Sequence, residues 1–129
     1  MGLRLHAIVL LFMISVLFSC KDEEQWVSME VIASAYNSTR AQTEGNPFIT
    51  AWGDTLQPTM KSIAVSRDLI KKGLSHHTKV KIEGFKGIYV VNDKMHSKWR
   101  NKIDIYFGTD VKAAKKWGRK KVKIRFLCE

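Results

Sequence analysis

Two aspartates interrupt apolar runs. Asp93 ends the run Ile88-Tyr89-Val90-Val91-Asn92-Asp93, and Asp104 lies inside Ile103-Asp104-Ile105-Tyr106-Phe107. Segments rich in β-branched and aromatic residues want both faces covered, so a carboxylate there costs desolvation unless it has a task or a partner. Partial burial raises a carboxyl pKa toward the range where the group can deliver a proton near neutral pH. Two such groups on neighbouring strands are suited to acid–base cleavage of a glycosidic bond. The competing assignment is structural, with Asp93 opening a turn and Asp104 accepting backbone amides. The residues alone leave both open.

Other side chains with chemical potential are fewer. His76 and His77 stand beside Thr78, and His96 follows later. No cysteine or carboxylate lies at ligand spacing from the pair, so neither a metal nor a cofactor is expected. Trp52 and Trp99 fall in turn-like segments and could stack on sugar faces or pack at an edge, whereas Trp117 on a short helix reads as core.

The elements that must position these groups are mostly strands. Residues 30–36 read as a first strand, and 37–47 as a loop rich in Asn, Ser, Thr, Gln and Gly. Residues 48–53 form a short segment ending at Gly53, and 62–65 a brief strand. Ser66 can cap a helical turn over 67–72 that Gly73 stops. Residues 79–84 alternate, 84–87 turn the chain, and 88–91 and 103–107 are further strands. Thr109 or Asp110 caps a helix over 111–117, closed by Gly118, with Lys115 and Lys116 at its negative end. Residues 122–127 alternate again. Short strands in this order, with two brief helices and no long crossover, suggest a small barrel.

The chain has 129 residues, room for one domain of ordinary size. Its first part reads as a leader. Arg4 and His6 precede an apolar stretch from Ala7 to Phe18, too short to span a bilayer and suited to a signal peptide. The following Ser19-Cys20 resembles a bacterial lipobox, in which the cysteine is lipidated. Lys21-Asp22-Glu23-Glu24 resembles the export signal of Bacteroidetes lipoproteins. The expected organisation is a signal peptide over 1–19, a lipidated tether over 20–28 and one domain over 29–129. The expected location is the outer membrane, held by lipid at its periplasmic face or on the cell surface. With Cys20 acylated, Cys128 has no partner for a disulfide.

The formal net charge is +10. It is concentrated late in the chain, in Lys94, Lys98, Arg100, Lys102, Lys112, Lys115, Lys116, Arg119, Lys120, Lys121, Lys123 and Arg125, opposed by Asp104 and Asp110. A basic cluster raises nucleic acid as a partner. The sequence offers no stacking platform among these residues, and an exported lipoprotein meets no genome, so no nucleic acid is expected. Anionic envelope polymers, peptidoglycan first, remain, alongside a solvated basic surface.

Across 31–127 the chain resembles the three-aspartate, or 3D, domain found in membrane-bound lytic murein transglycosylase A and in resuscitation- and spore-related wall proteins. The residues that carry this are Ala35-Tyr36, Thr50-Ala51-Trp52-Gly53, Ile63-Ala64-Val65, Val90-Val91-Asn92-Asp93, Ile103-Asp104-Ile105 and the step from Ala114 through Trp117-Gly118 to Val122. The order also resembles the rare lipoprotein A group. The resemblance implies a mainly β fold, a small double-psi β-barrel with two short helices. It further implies a lytic transglycosylase that cleaves the β-1,4 bond between N-acetylmuramic acid and N-acetylglucosamine in peptidoglycan glycan strands.

In that reading Asp93 is the acid/base and Asp104 orients or tunes it. Tyr36, Thr50, Trp52, Asn92 and Trp99 contact the glycan, Cys20 carries the lipid, and the protein is a monomer. Two departures bear on this. Ser66 stands where the family has its first aspartate, which suggests a helix-cap position. Lys94-Met95-His96 replaces the glycines that follow the catalytic aspartate, and a cation beside Asp93 would oppose a raised pKa. A glycan-binding module without turnover is the alternative.

Overall fold

The computed structural model describes residues 25–39 and 45–128. Six strands close into a barrel: β1 (Gln25–Tyr36), β2 (Ser62–Val65), β3 (Lys79–Ile82), β4 (Tyr89–Lys94), β5 (Lys102–Tyr106) and β6 (Arg119–Cys128). Two short helices join them, α1 (Arg67–Lys71) after β2 and α2 (Val111–Trp117) before β6. The order around the barrel is β1-β5-β2-β4-β3-β6, with β6 returning to β1. The β1–β5 and β2–β4 pairs are parallel and the rest antiparallel, a crossed arrangement of the double-psi kind.

Alternation decides what fills the interior. Val122, Ile124 and Phe126 of β6 point inward while Lys121, Lys123 and Arg125 face solvent. Val31 and Ala33, Ile63 and Val65, Val80 and Ile82, Tyr89 and Val91, and Ile103 and Ile105 complete one apolar core with Leu69 and Leu74. Phe85, Phe107 and Trp117 pack against it as an aromatic group, in keeping with a core role for Trp117.

Three boundaries differ from sequence expectation. β1 begins at Gln25, taking in 25–28, because β6 is long enough to pair with it from Gln25↔Cys128 onward. β4 runs through Asn92 and Asp93 to Lys94, so Asp93 lies within a strand and does not open a turn. Residues 48–55 form a turn closed by the bridge between Ile49 and Thr55. Both helices end as expected. Asp110 caps α2 by accepting from Ala113 N at 2.9 Å, and Gly118 closes it at φ 78°.

Ser66 is a correction. It occupies the first position before α1 but makes no side-chain cap. Its buried hydroxyl accepts from Lys102 N at 2.9 Å, and its own N–H donates to Lys102 O at 2.8 Å, so it fastens the end of β2 to β5.

Candidate functional site

A single irregularity in β4 builds the site. The β2–β4 register pairs Ile63 with Val91 and then Ala64 with Asp93, leaving Asn92 as an extra residue. Strict alternation after Tyr89 and Val91 would send Asp93 into the core. The bulge re-aims it to the outer face. On that face Ala64 is also paired with Asp104, and Asp104 with Ser34. Asp93, Ala64, Asp104 and Ser34 therefore form one row across β4, β2, β5 and β1, with the small Ala64 side chain separating the two carboxylates.

Asp93, Ala64 and Asp104 of this row line a groove of about 230 Å³ together with Tyr36, Asn37, Lys94, Met95, His96 and Trp99. A larger cleft of about 420 Å³ opens elsewhere, at Phe85 and Ile88, where one carboxylate, Glu83, stands among Lys81, Lys123 and Arg125. Of the two, the smaller groove brings two carboxylates together.

Asp93 is half-buried, and two backbone amides meet on one of its oxygens. Oδ1 accepts from Ala51 N and Lys94 N, each at 2.9 Å. Burial raises its carboxyl pKa; those two amides oppose the rise, and the charges of Asp104 and Asp54 add to it. The net direction is upward, which favours a protonated carboxyl. Lys94 does not reverse it: its ammonium lies 5.7 Å from the Trp52 ring centroid, directed to that face. Asp104 is held by the Ser34 hydroxyl, which donates to its Oδ1.

Tyr36 faces both carboxylates. Its phenol is pushed far above the ordinary tyrosine range, by burial first and then by the charges of Asp93 and Asp104, and so stays a neutral O–H. That hydroxyl is buried without a partner at bonding geometry, although the nearby Ser62 hydroxyl offsets a little of the rise. The phenol is thus a neutral, buried group beside two carboxylates.

The remaining candidates divide in two. Trp99 lines the groove with the Lys102 and Lys98 ammonium groups 3.9 and 5.0 Å from its ring centroid. In the same basic region Lys120 lies over the Trp117 ring at 4.5 Å. Thr50, Trp52 and Asn92 lie behind the groove and not in it. Thr50 Oγ1 accepts from Asp54 N at 3.0 Å, and buried Asn92 accepts from Ser62 Oγ at 2.8 Å while donating to Asp54 Oδ2 at 3.0 Å. Trp52 packs on the core edge and stacks on His76, centroids 4.6 Å apart. These three support the turn that holds Asp93. Cys20 lies outside the described residues.

Sequence reasoning missed three residues and the role of a fourth. Ala64 and the role of Asn92 depend on register, which no local pattern reveals. Ser34, two residues before Tyr36 on one strand face, was within reach of period-two alternation. Asp54 supplies the carboxylate that spacing along the chain did not offer to His76 and His77. His76 Nε2 is 2.6 Å and His77 Nε2 3.3 Å from Asp54 Oδ2. Asp54 has its pKa lowered, first by the Asn92 hydrogen bond and then by that of His76.

Residues 61–128 match the 3D domain family. The chain belongs to that family. The matched stretch holds the Asp93–Ala64–Asp104 part of the row, while Tyr36 and the 50–54 turn precede it. A relative with curated description is YabE of Bacillus subtilis (strain 168), named for a suggested part in shaping the cell wall; it is 35% identical over 111 residues. That alignment takes in 84% of this chain but only 25% of YabE, so the chain spans about a quarter of its relative's length. Among solved structures, the Streptomyces papain inhibitor SPI superposes with a TM-score of 0.54 at 17% identity, over 78% of this chain and 94% of that one. At that identity the likeness concerns the fold of this 3D domain. An expansin of Clavibacter michiganensis aligns at a TM-score of 0.49 and 15% identity, over 80% of this chain and 51% of that chain.

Proposed function

We propose that this 3D domain acts on the peptidoglycan of the cell wall and cleaves its glycan strands as a lytic transglycosylase. One observation carries the reading: a half-buried Asp93, its pKa raised, shares a groove with Asp104 across the width of one alanine. A carboxyl in that state can protonate the glycosidic oxygen as the bond to C1 of the muramyl residue breaks. As the resulting carboxylate it then takes the proton from the C6 hydroxyl of the same sugar, whose oxygen bonds to C1. The proton is returned, water is not consumed, and the product carries a 1,6-anhydro ring. Asp104 favours the positive charge developing at C1, and its charge adds to the rise in the Asp93 pKa. Tyr36 walls the groove beside both carboxylates as a neutral phenol. The Lys98 ammonium beside Trp99 offers a partner for stem-peptide carboxylates, while Lys102 is buried.

A second reading has its own observation. Met95 and His96 line the groove where family members carry glycine, and its volume lies below that of common ligand sites, about 300 Å³ and more. A glycan held there without turnover makes the chain a binding module. One experiment separates the two: the full chain is incubated with purified sacculi, and soluble products are weighed by mass spectrometry. Anhydromuramyl ends are expected. Retention on sacculi with no released product over a range of pH contradicts the catalytic reading and supports the module.

The proposed setting is the outer membrane, through lipid on Cys20. Cys20→Ala is expected to remove the protein from the membrane fraction, read by fractionation and immunoblot; an unchanged distribution contradicts the anchor.

A further inference from the structure

We propose that Asp54, His76 and His77 form a binding site for a single divalent transition cation of the zinc class, which fastens the 50–54 turn to the 75–78 turn. The site goes beyond the glycan chemistry and is separate from the groove.

Its donors converge from two parts of the chain. Asp54 Oδ2, His76 Nε2 and His77 Nε2 all lie within 4.8 Å of one another. Donors around a tetrahedral zinc, at about 2.0–2.2 Å from the ion, stand roughly 3.3 Å apart. The His77–Asp54 separation of 3.3 Å already has that value, and the 2.6 Å of His76–Asp54 opens to it by a small side-chain rotation. Two imidazoles and one carboxylate leave coordination positions for water or a ligand, and that set favours zinc, nickel or copper over magnesium or calcium, which prefer oxygen.

Three features set this group apart from an ordinary ion pair. Neighbouring residues in extended chain point to opposite sides, yet both imidazoles face the same carboxylate oxygen. His77 achieves this with a left-handed backbone, φ 70°, uncommon for a residue with a side chain and held by its N–H donating to Val91 O at 2.7 Å. Secondly, His76, His77 and Asn92 each bring a nitrogen to Asp54 Oδ2, more than the two lone pairs of one oxygen serve well. A cation between the imidazoles and the carboxylate resolves that crowding. Thirdly, the outer partners of a metal site are present: Asn92 donates to Asp54, and the Trp52 ring stacks on His76 and fixes its plane. Side-chain exposures of 34% for His76 and 64% for His77 leave the site open to entry from solvent.

The test uses the full chain, stripped with a chelator and titrated calorimetrically with zinc chloride, with magnesium and calcium chloride as comparisons. One saturable zinc ion per chain at micromolar concentration is expected, with no response to the other two salts. His77→Gln, at an exposed position, and Asp54→Asn are each expected to weaken zinc binding about tenfold or more. Circular dichroism melts establish that both variants fold. For the unsubstituted chain, absorption bands of bound cobalt(II) give a second readout of nitrogen ligation. No saturable zinc binding overturns the proposal, as does zinc binding that survives both substitutions unchanged.

Discussion

Asp93 and Asp54 stand on either side of the same turn and have opposite fates. Asp54 is reached by Asn92, His76 and His77, and hydrogen bonding lowers its pKa. Asp93 is half-buried, receives two backbone amides on one oxygen, faces a second carboxylate and has its pKa raised. The residue type is identical, so the difference comes from what the backbone brings near each. A carboxylate surrounded by donors is fixed as an anion and suits holding a cation. A carboxyl half-buried and placed beside another negative charge suits holding a proton. Asn92 divides the regions: as the extra residue of the bulge it turns Asp93 outward, and its amide binds Asp54.

The largest expected effect is on turnover. Asp93→Asn keeps size and the acceptor oxygen but cannot cycle a proton, and release of anhydromuramyl products should fall about a hundredfold or more. The same variant gives a stability signature of opposite sense. A carboxyl whose folded-state pKa is raised contributes stability below its unfolded pKa that is lost as pH rises through the folded one. The melting temperature of Asp93→Asn relative to wild type should therefore climb as pH rises from strongly acid to neutral. A difference that shrinks over this range would break the comparison.

Asp104→Asn should reduce turnover by less than about a hundredfold. Because the Asp104 charge raises the Asp93 pKa, its removal should also move the pH–rate profile to lower pH. A profile displaced upward would contradict the pairing. Asn92→Ala tests the divider. It leaves the buried Ser62 hydroxyl without its acceptor and takes one donor from Asp54, and a loss of about 1–3 kcal/mol is expected in denaturant melts. Turnover should fall with it as the Asp93 carboxyl loses its aim. Tyr36→Phe is the smallest. Its hydroxyl is buried without a partner at bonding geometry, so stability should hold or rise slightly, with affinity for sacculi little changed. A marked loss of stability would show that the hydroxyl serves the fold.

Much of this was legible before the structure. β2, both helices, the caps at Asp110 and Gly118 and the paired aspartates follow from local pattern, because capping and alternation are short-range physics. The double-psi barrel came from ordered motifs across the chain, which carry information that periodicity lacks. The bulge at Asn92 was not readable: one extra residue in a ladder depends on the partner strand, and alternation alone sends Asp93 into the core. Asp54 escaped for a similar reason, since 22 residues separate it from His76 and only the closed turn brings them together. Ser66 was misjudged because cap preference describes a residue's own helix, whereas this hydroxyl is engaged by a strand from another part of the barrel.

The most direct test is an NMR titration of the Asp93 carboxyl carbon in the wild-type chain and in Asp104→Asn. The account predicts a midpoint above the ordinary aspartate value of about 3.9 in wild type and a lower one once Asp104 is neutral. A wild-type midpoint at or below the ordinary value, unmoved by Asp104→Asn, would contradict Asp93 as the proton-carrying group.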